Sequence, residues 1–230
     1  MFNVCIDPGH GGKDPGAIGN GLQEKDLVLV IAKDLKGLLI ANGVGVVMTR
    51  SNDVFVDLHP RAKIANDFKA DLFCSIHINA GGGTGQEVLV IGMGGQAEVS
   101  AKILLGYLLG TCGWMNRGVK VFNGQVLRDT IMPAILTENG FIDKVEDVNK
   151  LWSVGFLHKI AVAHAKGICE FAGIKFKEEG VIKVTEVVQP VKKIAIDDVF
   201  LTVRLREIFV PETIKKINEL GFACKKLDLA

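Results

Sequence analysis

The sequence lacks several features that would assign the protein to a class at once. It has no strong charge of either sign, because 27 Lys and Arg residues nearly balance 26 Asp and Glu residues. Its five cysteines are scattered without a CxxC pair, and its most apolar helical run, 103–109, is interrupted by Gly106 and is too short to span a bilayer. These absences argue against a nucleic-acid or membrane-surface protein, a disulfide framework and membrane insertion.

The chain also lacks an opening basic segment followed by an apolar stretch, so we expect no signal peptide. We therefore expect synthesis in the cytoplasm, where the thiols stay reduced and mostly buried. With 48% hydrophobic and 23% charged residues, 230 residues suffice for one sizeable domain and a small appendage. We expect the domain to span 1–175, because the composition shifts after Gly173, and 176–230 to form a small C-terminal α+β segment.

Segments with strand-like and helix-like patterns alternate along the first 175 residues. This alternation predicts an α/β fold with a mostly parallel sheet and helices on both faces. The predicted strands are 2–7, 44–50, 71–79, 87–92 and 134–140, and the predicted helices are 25–41, 58–70, 97–109 and 157–171.

The stretch IDPGHGGKDPG, which begins at Ile6, places His10 in a glycine-rich turn directly after a predicted strand. His77 and Glu138 lie at the ends of two further predicted strands. Ligands bind at the carboxyl ends of the strands in such sheets, so these residues are expected near one another. Glu24 lies at the start of the predicted helix 25–41.

Two histidines and two carboxylates are the side chains that a catalytic zinc site uses for its ligands and its base. By spacing alone, each residue also has an ordinary interpretation. His10 fits a turn residue, Glu24 a helix N-terminus, His77 a satisfied core histidine and Glu138 a solvated carboxylate. A phosphate-binding loop is less well supported, since the turn lacks the Lys-Ser/Thr of a P-loop and is no GxGxxG.

Other polar and aromatic residues have weaker claims to a site. His59 precedes a proline at a predicted helix start and is expected to be exposed, and His158 and His164 lie on different faces of their helix. The segment 144–150 is interpreted as a solvated face, and Trp114 and Trp152 as packing residues.

Several long motifs, in order, resemble the zinc-dependent N-acetylmuramoyl-L-alanine amidases of the third amidase family. The resemblance runs from about residue 1 to 172, and it is closest to the signal-less amidases of mother-cell lysis and to phage lysins. It is carried by IDPGHGGKDPGAIGNGLQEKDL, MTRSNDVFVDLHPRAKIAN, ADLFCSIHINAGGG and VLRDTIMPAILTENGFIDKVEDVNKL.

The resemblance implies a twisted sheet of about six strands and one zinc ion per chain, ligated by His10, Glu24 and His77. It implies that Glu138 is the catalytic carboxylate. The substrate would be peptidoglycan, cut at the amide between N-acetylmuramic acid and L-alanine of the stem peptide. The enzyme would reach the wall after lysis or holin-type release, as an autolysin or an endolysin.

Two residues are candidates for substrate binding. Asn79 points to the same side of its strand as His77, so it orients a ligand or holds the stem peptide, unless it is a turn residue. Arg128 is a candidate partner for a substrate carboxylate, and a surface ion pair is its alternative.

Two other functions stay open at this point. A zinc peptidase or carboxypeptidase would keep the same fold and cut within the stem peptide. A wall-binding protein would bind without cutting, although it would have no need for Glu138. For 176–230 we expect a role in wall binding or in forming a homodimer.

Overall fold

The structure, a computed structural model, describes residues 1–177. A six-stranded sheet forms its centre, and a two-stranded ribbon follows the first strand. The sheet contains β1 (Asn3–Pro8), β4 (Gly45–Met48), β5 (Leu72–Asn79), β6 (Gln86–Val90), β7 (Asn116–Val121) and β8 (Ala134–Phe141), and the ribbon contains β2 (Ile18–Gly19) and β3 (Leu22–Gln23).

Helices cover both faces of the sheet. The larger apolar core lies between one face and α1, α3 and α6, and the smaller core lies between the other face and α2 and α4. None of the helices within 1–177 is long and apolar enough to cross a membrane. The helices are α1 (Glu24–Ala41), α2 (Leu58–Asp67), α3 (Gln96–Cys112), α4 (Gln125–Arg128), α5 (Val145–Leu151) and α6 (Val154–Phe171).

The sheet has the strand order β4-β1-β5-β8-β6-β7. Every neighbouring pair is parallel except β6 and β8, which are antiparallel. The predicted α/β class, with a mostly parallel sheet of about six strands, is therefore confirmed. Because β6 runs opposite to β8, the beginning of β6 lies at the same edge as the ends of β1, β5 and β8.

This edge of the sheet carries an irregularity. The register of β5 against β8 shifts between His77 and Asn79, so that Asn79 pairs with Phe141. Gly140 lies in the extra length of β8 with φ 78°, a left-handed conformation that favours glycine. A Cβ on Gly140 would lie 2.7 Å from the ring of Trp114, so the bulge also needs glycine for space.

The sequence missed β7, the ribbon and the short helices α4 and α5, and placed the other elements within a few residues of their bounds. The predicted appendage 176–230 lies almost wholly outside the described residues, and so do Cys224 and the expected wall-binding or dimer-forming role. Those expectations stay predictions.

Candidate metal centre

Three side chains from three separate segments converge at the edge of the sheet. His10 follows β1, Glu24 is the first residue of α1, and His77 lies in β5. One ligand atom from each lies within 4.8 Å of the others. Glu24 lies between the two imidazoles, with Oε2 at 3.1 Å from His10 Nε2 and Oε1 at 2.9 Å from His77 Nδ1.

The glycines of the turn provide the space that the imidazoles occupy. A Cβ on Gly9 would collide with the ring of His77, and a Cβ on Gly16 would lie 2.6 Å from both Glu24 Oε2 and His10 Cδ2. Gly16 also has φ 66°, which disfavours other residues. The bare backbone is thus explained by close approach of side chains, and no phosphate is needed to account for it.

The electrostatics of the three residues favour positive charge at their centre. Burial lowers the pKa of His10, but hydrogen bonds to Glu24 and Asp14 outweigh burial and raise that pKa to about 9. Burial disfavours the protonated form of His77, but hydrogen bonding to Glu24 outweighs burial and raises the pKa of His77. Burial raises the pKa of Glu24, but the two histidines lower it well below its usual range. When a metal cation binds to these side chains, it displaces the protons that they carry.

Two of these side chains, those of His10 and Glu24, have further hydrogen-bond partners. His10 Nδ1 lies 2.8 Å from Asp14 Oδ2, which leaves Nε2 facing Glu24. The backbone N–H of Ala17 donates to Glu24 Oε2 and that of Ile78 donates to Oε1, each at 2.9 Å. Partners of this kind fix the orientation of metal ligands.

Two arginines hold the backbone of the glycine turn. Arg50 donates to the carbonyls of Pro8 at 2.9 Å and Gly9 at 2.7 Å. Arg61 donates to the carbonyls of Pro8 at 2.8 Å and His10 at 2.7 Å. Both arginines are buried. The sequence analysis did not single them out, because charge alone does not distinguish a buried arginine from an exposed one.

A buried carboxylate beneath the turn compensates one of these charges. Asp7 accepts hydrogen bonds from Arg61 Nη1 at 2.8 Å, Thr49 Oγ1 at 2.6 Å and Ser75 Oγ at 2.7 Å. Burial raises the pKa of Asp7, but Arg61 and the two hydroxyls outweigh burial and lower it. Asp7 therefore stays ionised and ties β1 to β4, β5 and α2.

Glu138 lies beside the three converging residues. It is the register partner of His77 in the neighbouring strand β8, and strands are about 4.8 Å apart. Its Oε2 atom is buried and has no hydrogen-bond partner among the described residues. Burial, together with the negative charges of Glu24 and Glu87, outweighs His77 and His10 and raises the pKa of Glu138 to about 7.

The two predicted substrate-binding residues have different surroundings. Asn79, at the end of β5, donates from Nδ2 to Glu87 Oε1 at 3.1 Å, beside Glu138. Arg128, at the end of α4, donates to Asn123 Oδ1 at 3.0 Å and is half exposed. None of the hydrogen bonds described for Arg128 involves the converging residues, and its role stays a prediction.

The residues judged to be weak candidates lie elsewhere. His59 is exposed, His158 pairs with Asp34 at 2.6 Å, and His164 is buried beneath β8. Within 1–177 the four cysteines are free and buried, and burial raises the pKa of Cys74 to about 12. We therefore interpret these histidines and thiols as structural residues.

The three ligand groups fit zinc by type and by spacing. Zinc takes histidine nitrogen and carboxylate oxygen at about 2.0–2.2 Å, so the ligand atoms of a tetrahedral site are about 3.3 Å apart. One ligand atom from each of the three residues lies within 4.8 Å of the other two, so one ion can be reached by all three after small side-chain adjustments. Three ligands with a carboxylate alongside match a catalytic site, which keeps one position open.

Comparison with known proteins shows the family of the chain. The sequence profile of the N-acetylmuramoyl-L-alanine amidase family matches residues 4–170, which hold all four of these residues. The chain belongs to this amidase family. It is 43% identical over 178 residues to the sporulation-specific N-acetylmuramoyl-L-alanine amidase of Bacillus subtilis (strain 168), an alignment that covers 76% of this chain and 70% of that relative.

Further relatives of the amidase span both predicted biological settings. The endolysin of Bacillus phage SPP1 is 43% identical over 185 residues, covering 77% of this chain and 68% of the endolysin. The solved structure of the catalytic domain of CwlV, an N-acetylmuramoyl-L-alanine amidase from Bacillus (Paenibacillus) polymyxa var. colistinus, has a TM-score of 0.73 and 34% identity to this chain. It covers 76% of this chain and 100% of that domain. The amidase function is thus favoured over the stem-peptide peptidase.

Proposed function

We propose that this amidase hydrolyses the amide between N-acetylmuramic acid and L-alanine of the stem peptide, with one zinc ion per chain held by His10, Glu24 and His77. The observation that carries the proposal is the convergence of these three ligand groups beside Glu138 at one edge of the sheet. We assign Glu138 as the catalytic carboxylate.

Zinc in such a site lowers the pKa of water and polarises the substrate carbonyl. The residues of the chain supply the rest of the chemistry. Glu138 accepts a proton from the attacking water at its carboxylate, and it then delivers this proton to the departing amine of L-alanine. Burial raises the pKa of Glu138 above that of an exposed carboxylate, and an acid–base group is most effective when its pKa is near the working pH.

Asp14 keeps His10 in the form in which Nε2 faces the centre, and the N–H groups of Ala17 and Ile78 keep both oxygens of Glu24 in place. Arg50 and Arg61 keep the turn that carries His10 against the sheet. These contacts assemble the ligand set before substrate arrives, so little reorganisation is needed during the reaction.

The relatives support a role in degrading the cell wall, as a sporulation autolysin or as a phage endolysin. We propose that the enzyme meets peptidoglycan after lysis or holin-type release of the cell contents.

The test is a digest of purified peptidoglycan with and without a zinc chelator. We expect new alanine amino termini, no new reducing sugar ends, and loss of both amine release and wall clearing with the chelator. Amino termini of another residue would place the cut inside the stem peptide. Binding to the wall without release of amines would leave a binding protein, and activity that survives the chelator would remove zinc from the proposal.

A further inference from the structure

A second buried carboxylate lies beside Glu138 and collects three donors. Glu87, in β6, is the register partner of Glu138 in β8 and is 7% exposed. Its Oε2 accepts from Arg117 Nε at 2.7 Å and also from Lys120 Nζ, and its Oε1 accepts from Asn79 Nδ2 at 3.1 Å. Cross-strand partners lie about 5 Å apart, so this cluster adjoins the candidate catalytic carboxylate.

Two cations bind the same oxygen atom of Glu87. Arg117 Nε and Lys120 Nζ both pair with Oε2. The side chain of Arg117 is 28% exposed and that of Lys120 is 44% exposed, so both reach the solvent. Both cations are thus accessible to an anionic ligand at this edge of the sheet.

Arg117 is held in one orientation while part of its guanidinium stays available. Its Cζ atom lies 4.8 Å from the ring centroid of Phe141, and Nε is engaged by Glu87. Among residues 1–177, Nη1 makes only a long contact of 3.5 Å with the carbonyl of Thr84. A Cβ on Gly83 would lie 2.6 Å from Phe141 and 3.3 Å from Nη1, so glycine there keeps room for this stack. A fixed guanidinium is well suited to bind a carboxylate.

We propose that Arg117, assisted by Lys120, binds a carboxylate of the stem peptide on the L-alanine side of the scissile amide. This inference rests on the proposed function. In the substrate, the carboxyl group of the lactyl moiety is part of the scissile amide and is uncharged. A peptide ends in a carboxylate, so the peptide side supplies the anion. Arg117 is then a specificity-determining residue, and Glu87 positions it.

The test uses two ligands that differ only in charge. They are N-acetylmuramoyl-L-alanyl-glutamic acid, the diacid, and the same compound with both carboxylates converted to amides, the diamide. Zinc-loaded protein carrying Glu138→Gln binds each compound without cutting it, and calorimetry gives the dissociation constants. Arg117→Gln and Lys102→Gln are added separately to this background. Lys102 is an exposed lysine of α3 paired with Glu98, and it serves as the matched control.

We expect the diacid to bind at least about tenfold more tightly than the diamide, as for a charge-assisted hydrogen bond. Arg117→Gln should remove most of this preference and leave the dissociation constant of the diamide unchanged, whereas Lys102→Gln should keep the preference. Lys120 still pairs with Glu87 in Arg117→Gln, so the carboxylate keeps a partner. Arg117→Lys keeps the charge without the guanidinium fork and should give an intermediate preference, which tests the site should the glutamine variant fail to fold.

Equal binding of diacid and diamide would overturn the proposal, as would an unchanged preference in Arg117→Gln or no binding of the diacid at millimolar concentration. Failure of the proposed function has a separate signature. In that case the enzyme with Glu138 intact would release no alanine amino termini from peptidoglycan, whatever the binding of the two compounds.

Discussion

The proposed chemical role of Glu138 can be tested by a substitution that leaves the three ligand groups in place. Glu138→Gln keeps the size of the side chain, and the ligand groups His10, Glu24 and His77 are untouched. We expect zinc content to stay at one per chain and the rate of alanine release to fall by about 100- to 10,000-fold, because the amide cannot accept the proton. Metal analysis and amine release from peptidoglycan measure the two quantities.

The matched control for Glu138→Gln is Glu98→Gln, in the first turn of α3, where Glu98 pairs with Lys102. It should leave both zinc content and amine release unchanged. Substantial turnover by Glu138→Gln would show that the base is misassigned.

A substitution at Asp14 tests whether the hydrogen-bond partner of a ligand affects the affinity for zinc. Asp14→Asn removes the charge that faces His10 Nδ1, so we expect zinc affinity to fall by about 10- to 100-fold. Competition with a fluorescent chelator measures the affinity. Asp67→Asn, on the exposed end of α2, loses a comparable pairing with Lys63 far from the centre and should keep the original affinity. An equal loss in both variants would contradict the role of Asp14.

At this scale, the sequence predicted the residues whose type suits a zinc site and missed those whose role depends on tertiary contacts, although both kinds lie in the same motifs. His10, Glu24, His77 and Glu138 come together, as their positions next to strand and helix ends suggested. Asp14 was visible four residues after His10, yet nothing in the spacing showed that its side chain turns back to the imidazole.

At the scale of elements, one buried histidine ties α6 to β8. His164 Nδ1 donates to the carbonyl of Ile160 at 2.8 Å, so Nε2 accepts from Thr137 Oγ1 at 3.0 Å. Thr137 in turn accepts from Asn139 Nδ2 at 3.1 Å, and the same amide donates to the carbonyl of His77 at 2.9 Å. The packing of α6 is thereby linked to the strand that carries a candidate ligand.

Burial lowers the pKa of His164 to about 4, against about 6.5 for a histidine in an unfolded chain. Between these values the unfolded state binds more protons than the folded state, so stability falls as the pH drops from about 6.5 to 4. The loss attributable to His164 is about 3 kcal/mol over this window. Urea unfolding of the metal-free protein at pH 7 and pH 4 measures it.

His164→Gln provides the comparison, because it removes this titration while the other ionisable groups remain. Its free energy of unfolding should fall less between pH 7 and pH 4 than that of the unmodified protein, by about 3 kcal/mol. The same fall in both proteins would contradict the assignment, whatever the stability of the variant at pH 7.

The elements that the sequence did not predict have hydrophobic patterns interrupted by glycine or by charged residues. Strand β7, with the sequence NRGVKV, contains a glycine and two cations, and its partner β6 supplies the carboxylate that both cations bind.

The segment 144–150 was interpreted as a solvated face, and that interpretation is wrong for Asp147. This residue is buried and accepts from Thr84 Oγ1 at 2.8 Å and from the N–H of Phe141 at 2.9 Å.

At the scale of the whole molecule, zinc should contribute to stability as well as to catalysis. Ligand groups from the turn after β1, from α1 and from β5 meet at the centre, so a bound ion links segments that are distant in sequence. A ligand present at 1,000 times its dissociation constant stabilises the folded state by about 4 kcal/mol. We expect the melting temperature to fall when a chelator removes the ion and to recover when zinc is restored.

His77→Ala is the control for the chelator experiment. The melting temperature of this variant should respond little to chelator, because its ligand set is incomplete. An unchanged melting temperature of the unmodified protein after complete removal of zinc would show that the ion does not couple to folding.

The opposite direction of β6 relative to β8 has a consequence for how such an enzyme diversifies. The three ligands and Glu138 come from segments before residue 80 and after residue 133, whereas Glu87, Arg117 and Lys120 lie between. The intervening stretch, 80–122, supplies β6, α3 and β7 but none of the three ligands and not Glu138. Exchanging it between relatives should alter which walls are preferred while the hydrolytic chemistry is inherited intact.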